Sequence, residues 1–134
     1  MIKMLYGQDE IDTISVDDTF NLCSEFHWLP KGENIPFYKD ELMKLCELAK
    51  YFLLKDETVI RIKPHVHVVG DIQGQYNYVW KFIKTNETTD KFLFLGDYVN
   101  HGKNSIEVLA LVLSLKVIHP DQVFLLRGCQ ETPE

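Results

Sequence analysis

The 134-residue chain has few cysteines and no excess of positive charge, and each shortage bears on what the protein can be. Its three cysteines, Cys23, Cys46 and Cys129, are odd in number and widely spaced, which favours reduced thiols over a disulfide framework. Since the chain also has no secretory leader, we expect a cytoplasmic or nuclear location. The net charge of −6 argues against electrostatic binding to nucleic acid or to an anionic membrane surface.

Long hydrophobic runs, internal repeats and low-complexity tracts are also missing. The most apolar stretch, residues 106–118, is interrupted by Glu107 and Lys116 and is too short to cross a bilayer. What is present is a globular composition, with 46% hydrophobic and 25% charged residues. The length suits one domain with an ordinary core.

The first half of the chain carries the weaker structural signals. Residues 1–37 predict a helical and loop segment, with a short helix beginning at Asp17 or Asp18 and a loop over 28–36. Residues 38–55 have apolar side chains at helical spacing and predict an amphipathic helix. Residues 58–64 alternate between apolar and polar and predict an edge strand. We therefore divide the chain into an N-terminal segment, 1–37, and a domain, 38–134.

From residue 65 onward, short apolar runs alternate with helical patterns. The runs at 65–71, 91–97 and 121–128 predict strands, and the stretches 75–86 and 103–118 predict helices. This order predicts an α/β fold in which a parallel βαβαβ sheet carries both helices on one face. The loops that follow the strands then share the carboxyl edge of the sheet, where open α/β sheets bind ligands.

Three candidate site residues follow the three predicted strands, and we expect them to lie near one another. Asp71 and Asp97 are two carboxylates that could hold divalent metal, or they could cap helices and order loops. Cys129 is either a reactive thiol at a strand-to-turn position or, as we favour, an inert one. His65 and His67 alternate along a strand, and we expect structural roles for them rather than metal binding.

Three short stretches resemble a known set of motifs. "GDIQGQ" at 70–75, "GDYVNHG" at 96–102 and "LLRGCQE" at 125–131 resemble the GDxHGQ, GDYVDRG and LLRGNHE signatures of the metal-dependent serine/threonine phosphoprotein phosphatases, the calcineurin-like family. The resemblance covers about residues 38–134 and implies the N-terminal half of the metallophosphoesterase fold, preceded by helices. It therefore implies a truncated phosphatase domain. Enzymes of this family use two divalent metals, Mn, Fe or Zn, to activate a water molecule that attacks phosphoserine or phosphothreonine esters.

Carried over residue by residue, the resemblance implies an incomplete metal site. Asp71 and Asp97 match metal-binding aspartates, Asp97 being the one that bridges both metals. Gln73 stands where the family has a histidine ligand, and Cys129 stands where it has an asparagine ligand. A glutamine offers only a neutral oxygen, and a thiol is a soft ligand for an oxygen-rich site. We expect no bound metal, or one weakly held ion such as Mg²⁺ or Ca²⁺.

The resemblance also implies that the acid–base chemistry is lost. Gln130 stands at the position of the histidine that protonates the leaving oxygen, and Asn100 replaces the aspartate that orients that histidine. His101 replaces a phosphate-binding arginine and lacks its bidentate fork. A glutamine has no titratable proton near neutral pH, so Gln130 cannot act as a general acid. The positions that keep the family identity are mostly in turns: Gly70, Gly74, Gln75, Gly96, Tyr98, Val99, Gly102, Arg127, Gly128 and Glu131.

The sequence therefore predicts a serine/threonine phosphatase-like protein without turnover, a pseudophosphatase that acts by binding partners. The partners that the resemblance implies are phosphatase regulatory subunits or phosphoproteins, and an open sheet would also allow self-association. Two alternatives stay open: an active metal-dependent phosphatase with atypical ligands, and a truncated product without a stable function.

Overall fold

A computed structural model describes residues 39–86 and 90–132 of the chain. Within these residues a three-stranded parallel sheet, in the order β1-β2-β3, alternates with helices. The elements are α1 (Lys39–Leu53), β1 (Val66–Val69), α2 (Tyr76–Thr85), β2 (Lys91–Phe94), α3 (Ser105–Ile118), β3 (Val123–Leu125) and a 3₁₀ turn (Cys129–Glu131). The α/β fold and the βαβαβ order are therefore confirmed. The short helix and the loop that we predicted within 1–37 lie outside the described residues.

The register of the sheet decides which side chains share a face. Phe92 lies opposite Val123 on one side and opposite His67 on the other. Leu93 in turn lies between Val68 and Phe124. Because side chains alternate along a strand, these two rows point to opposite faces of the sheet.

The main core covers the face that carries Phe92 and Phe94. Phe94 is fully buried, and burying a phenylalanine side chain stabilises a fold by about 1.5–3 kcal/mol. Helices α2 and α3 both pack on this face, as predicted for a βαβαβ unit. The cluster comprises Ile72, Tyr76, Val79, Ile83, Phe92, Phe94, Tyr98, Val108, Leu111, Val112, Leu115 and Val123.

Helix α3 is buried on a second side by α1. Leu45, Leu48, Ala49 and Phe52 of α1 pack against α3 in a separate apolar cluster that contains Ala110 and Val117. This packing explains why α3 is apolar nearly all round, whereas α1 is amphipathic. No helix within residues 39–86 and 90–132 is long and apolar enough to cross a membrane.

The prediction of an edge strand at 58–64 is wrong, because this segment forms no regular secondary structure. Ile60 and Ile62 are half-buried while Val59 is 71% exposed, so the alternation in the sequence reflects one packed side. None of the three strands pairs with the segment. Instead it lines a groove of about 570 Å³ together with side chains of α3 and of the chain after β3.

The second face of the sheet is open to solvent in the described part of the chain. Val68 on this face is 57% exposed, and Leu93 and Phe124 are half-buried. Leu95 and Leu126, just beyond β2 and β3, are 44% and 43% exposed. Leu93 and Leu126 border the groove described above, and Phe124 lies under the Lys116 ammonium. The exposed apolar surface of this face therefore belongs mainly to Val68, Leu95 and Leu126.

Candidate functional site

The loops after β1 and β2 are joined by backbone hydrogen bonds. The amides of Ile72 and Gln73 both donate to the carbonyl of Asp97, at 3.0 and 2.8 Å. The amide of Gly74 donates to the carbonyl of Tyr98 at 2.8 Å, and the amide of Gly102 donates to the carbonyl of Gln73 at 2.8 Å. These bonds fix the first motif loop against the second without any side chain.

The loops after β2 and β3 cross so closely that two glycines are required. A β-carbon on Gly128 would lie 2.3 Å from both the backbone nitrogen and Oδ1 of Asp97. A β-carbon on Gly96, whose φ is 108°, would lie 2.1 Å from the nitrogen of Gly128. By contrast, nothing lies within 4 Å of the corresponding point on Gly70. Packing therefore accounts for the glycines at 96 and 128, while it does not account for the one at 70.

The carboxylate of Glu131 fastens this crossing. Its Oε2 accepts the amide hydrogens of Asp97 and Gly128, both at 2.9 Å, and its Oε1 accepts that of Tyr98 at 2.8 Å. The residue pattern alone assigns Glu131 no role beyond its match to the third motif. The available signal was its place as the third residue of the turn after Gly128, where an acid commonly reaches back to the capping backbone.

Asp97 lies at the centre of the crossing, in the left-handed region with φ 53°. Its Oδ1 accepts the amide hydrogen of Gln130 at 2.9 Å, and its Oδ2 accepts the thiol hydrogen of Cys129 at 3.3 Å. The hydrogen bond from the Gln130 backbone, aided by the thiol, lowers the pKa of the Asp97 carboxyl. The same contact with Asp97, together with its negative charge, raises the pKa of the Cys129 thiol. A thiol that holds its proton is a weak nucleophile.

The two amides that replace the family's acid–base pair bind each other. Asn100 donates through Nδ2 to Oε1 of Gln130 at 2.5 Å. The backbone of Asn100, with φ 69°, is held in turn by Ser105, whose Oγ accepts its amide hydrogen at 3.1 Å. The Nε2 of Gln130 points to the sulfur of Cys129 at 3.9 Å. This pair has the contact that an acid and its orienting group would need, but neither side chain has a proton to transfer.

The remaining predicted residues lie on the exposed side of the loops. Asp71 is exposed, and the Nε2 of Gln73 lies 3.5 Å from its Oδ2. His101 is exposed beside Asn100 and has φ 57°. The structure thus brings Asp97, Cys129 and Gln130 into direct contact, and it pairs Asp71 with Gln73.

The residues present do not fit the family's dinuclear metal centre. Within residues 39–86 and 90–132, no three histidine, cysteine or acidic side chains are grouped so that they could hold an ion. Both oxygens of Asp97 accept hydrogen bonds from the protein, and Gln73 presents its NH₂ group rather than a lone pair to Asp71.

The alternative roles of the polar residues are resolved in part. Neither aspartate caps a helix, since α2 begins after Gln75 and α3 begins after Asn104. Asp97 does order the loops, as its contacts with Cys129 and Gln130 show. His67 bonds to Asp90 at 2.8 Å and stacks on Phe92, which is the structural role expected of it.

Comparison with known proteins agrees with the motifs and with the fold. Residues 64–128 match the calcineurin-like phosphoesterase family. A protein serine/threonine phosphatase from Saccharomyces cerevisiae, described as similar to human phosphatase PP5, superimposes on 69% of this chain with a TM-score of 0.61 and 27% identity. The chain spans about a third of that protein's structure, 32% of its length. Residues 64–128 therefore correspond to part of a calcineurin-like phosphoesterase domain, and the fold is similar to that of a serine/threonine phosphatase.

Proposed function

We propose that this phosphatase-like domain is a pseudophosphatase, which binds protein partners and does not hydrolyse phosphate esters. The observation that carries the proposal is the hydrogen bond between Asn100 and Gln130 at the position of the family's acid. A neutral amide occupies the place where a proton must be delivered to the leaving oxygen. Loss of a general acid alone removes a factor of roughly 10²–10⁴ in rate.

Two other features of the site support the same proposal. His101 replaces the phosphate-binding arginine and cannot form two parallel hydrogen bonds to a phosphate. Cys129 donates its hydrogen to Asp97 and so points a donor at the carboxylate that bridges metals in the family. Binding, orientation and proton transfer are thus weakened together, which makes compensation by a single residue insufficient.

The proposal is tested by phosphatase assays on the purified 134-residue chain with Mn²⁺, using p-nitrophenyl phosphate and a phosphoserine peptide. We expect no turnover above that of the Asp97→Asn variant, which serves as the control for contaminating enzymes. Turnover by the wild-type chain that Asp97→Asn abolishes would overturn the proposal and would favour an active enzyme with atypical ligands. A chain that shows no cooperative thermal melt would favour a product without a stable function.

The proposed partners are phosphatase regulatory subunits or phosphoproteins, and a binding assay separates the two. Fluorescence anisotropy compares a labelled phosphoserine peptide with its unphosphorylated form on the same chain. Tighter binding of the phosphorylated peptide would indicate phosphoprotein recognition. Equal or undetectable binding would direct the search to regulatory subunits, since these would dock without a phosphate group.

The open face of the sheet supports self-association as a further part of the proposal. Val68, Leu95 and Leu126 expose apolar surface, and a second copy of the chain would bury the same residues on both partners. We expect light scattering to show a dimer or larger species whose population falls on dilution, and we expect Val68→Lys to shift it toward the monomer. A wild-type chain that stays monomeric at high concentration would contradict this part alone.

A further inference from the structure

We propose that Cys129 and Gln130 supply to Asp97 the contacts that metal ions supply in the family, so that the second and third motif loops are held together without a divalent ion. Asp97 is then a structural acceptor rather than a metal ligand. The inference deepens the proposed function and rests on it, since a site without hydrolysis has no need for the metals.

Two protein donors occupy the carboxylate of Asp97. The amide hydrogen of Gln130 and the thiol hydrogen of Cys129 approach different oxygens of Asp97. A metal bound at Oδ2 would have to share that oxygen with the thiol hydrogen of Cys129. The positive charge of the ion would oppose that of the hydrogen, unless the side chain of Cys129 rotated away or lost its proton.

Protein groups also join the two loops at Glu131. Glu131 accepts three backbone amide hydrogens, from Asp97, Tyr98 and Gly128, at 2.8–2.9 Å. Asp97 adds two more hydrogen bonds, so both carboxylates link the loops. Hydrogen bonds to a charged acceptor are stronger than those between neutral groups. An ion is therefore not needed to hold the backbone in place.

The other carboxylate, that of Asp71, also has a protein donor beside it. Gln73 directs the hydrogens of its NH₂ group toward Asp71, where a metal ligand would direct a lone pair. Six polar residues of the site thus have protein partners of the opposite hydrogen-bonding type: Asp71 pairs with Gln73, Asp97 with Cys129 and Gln130, and Asn100 with Gln130.

The direct test is titration of the ¹⁵N-labelled chain with Mn²⁺, whose unpaired electrons broaden nearby amide resonances. With one equivalent of Mn²⁺ we expect no selective broadening of Ile72, Tyr98 or Gln130 relative to Val112, a buried residue of α3 that serves as the internal control. We also expect the same melting temperature in EDTA and in excess Mn²⁺. Selective broadening at the three loop amides would overturn the inference, and so would a melting temperature several degrees higher with Mn²⁺, the shift expected of a specific ion well above its dissociation constant.

Variants of Cys129 test whether the thiol is the donor that matters. Cys129→Ala removes the hydrogen bond and is expected to lower the melting temperature by about 2–4 °C. Cys129→Ser keeps a donor at the same place and should recover part of that loss. Equal melting temperatures for all three proteins would show that the thiol contributes nothing and would overturn the role given to Cys129.

Failure of this inference is distinguishable from failure of the proposed function. Selective Mn²⁺ binding without turnover would contradict the metal-free site but would agree with the proposed pseudophosphatase function. Metal-dependent turnover that is lost in Asp97→Asn would contradict both the metal-free site and the proposed function.

Discussion

The fully buried Lys116 provides the sharpest test of the energetics of this fold. Its ammonium lies 2.8 and 2.9 Å from the two oxygens of Asp56 and 3.0 Å from the carbonyl of Pro120. The side chain of Lys116 is 0% exposed, whereas that of Asp56 is 23% exposed. The two partners therefore depend on the ion pair to different degrees.

Removing either partner should have very different consequences. Asp56→Ala leaves a buried positive charge with only the Pro120 carbonyl and the face of the Phe124 ring beside it. We expect a loss of about 2–4 kcal/mol in the free energy of unfolding. Lys116→Met replaces the buried charge by an apolar chain of similar length, while Asp56 keeps its contact with water. We expect this change to alter stability by less than about 1 kcal/mol in either direction.

Urea denaturation of the two single variants and of the double variant measures this asymmetry. With a denaturant slope of about 2 kcal/mol/M, Asp56→Ala should move the midpoint by about 1–2 M and Lys116→Met by much less. The double variant should lie close to Lys116→Met, since no buried charge then remains. Equal losses for the two single variants, or a larger loss for Lys116→Met, would refute the argument that burial of the ammonium decides the outcome.

Three further predictions concern the loop crossing. Glu131→Gln leaves one carbonyl oxygen for three amide donors, so it should cost about 1–3 kcal/mol in urea denaturation, against no measurable loss for the matched exposed variant Glu57→Gln. Gly128→Ala should lower the free energy of unfolding by more than about 3 kcal/mol or prevent folding, because the added carbon would lie 2.3 Å from atoms of Asp97. Gly70→Ala should change it by no more than about 0.5 kcal/mol. Similar losses for the two variants would contradict the close approach of the loops. Folding lowers the pKa of Asp97. The stability that its carboxylate contributes is therefore present above the unfolded pKa near 3.9 and is lost as the pH falls through the folded pKa. Urea midpoints from pH 6 to pH 3 should fall more steeply for the wild type than for Asp97→Asn, and parallel profiles would contradict this prediction.

The regular elements could be predicted because their signals are local. Helix α1 was predicted at 38–55 and extends over Lys39–Leu53, and the three apolar runs each contain one of the strands. The segment 58–64 could not be assigned in the same way. Alternation reports that one side of a segment is packed, but a strand also needs a neighbour whose backbone accepts its hydrogen bonds, and the residues of the segment do not encode that neighbour.

Buried charge is a second kind of feature that the pattern of residues could not provide. Lys116 was interpreted as an interruption of the apolar stretch, whereas it is an interior residue whose partner, Asp56, lies 60 positions earlier in the chain. Glu131 is similar, because two of its three partners, the backbone amides of Asp97 and Tyr98, belong to another loop. In both cases hydropathy correctly marks the charge as costly, but only the tertiary contacts reveal what compensates for it.

The crossing of the loops explains why a phosphatase-like site can keep its shape without its chemistry. Gly96, Gly128 and Glu131 act through backbone contacts and would be needed whatever reaction the loops supported. Asn100 and Gln130 lie at the solvent side of the crossing and satisfy each other. These side chains are therefore separate from the backbone contacts of Gly96, Gly128 and Glu131, so the proposed loss of proton transfer leaves those contacts in place. A surface with the outline of an active site then remains available to a partner, because architecture and catalysis reside in different atoms of the same three motifs.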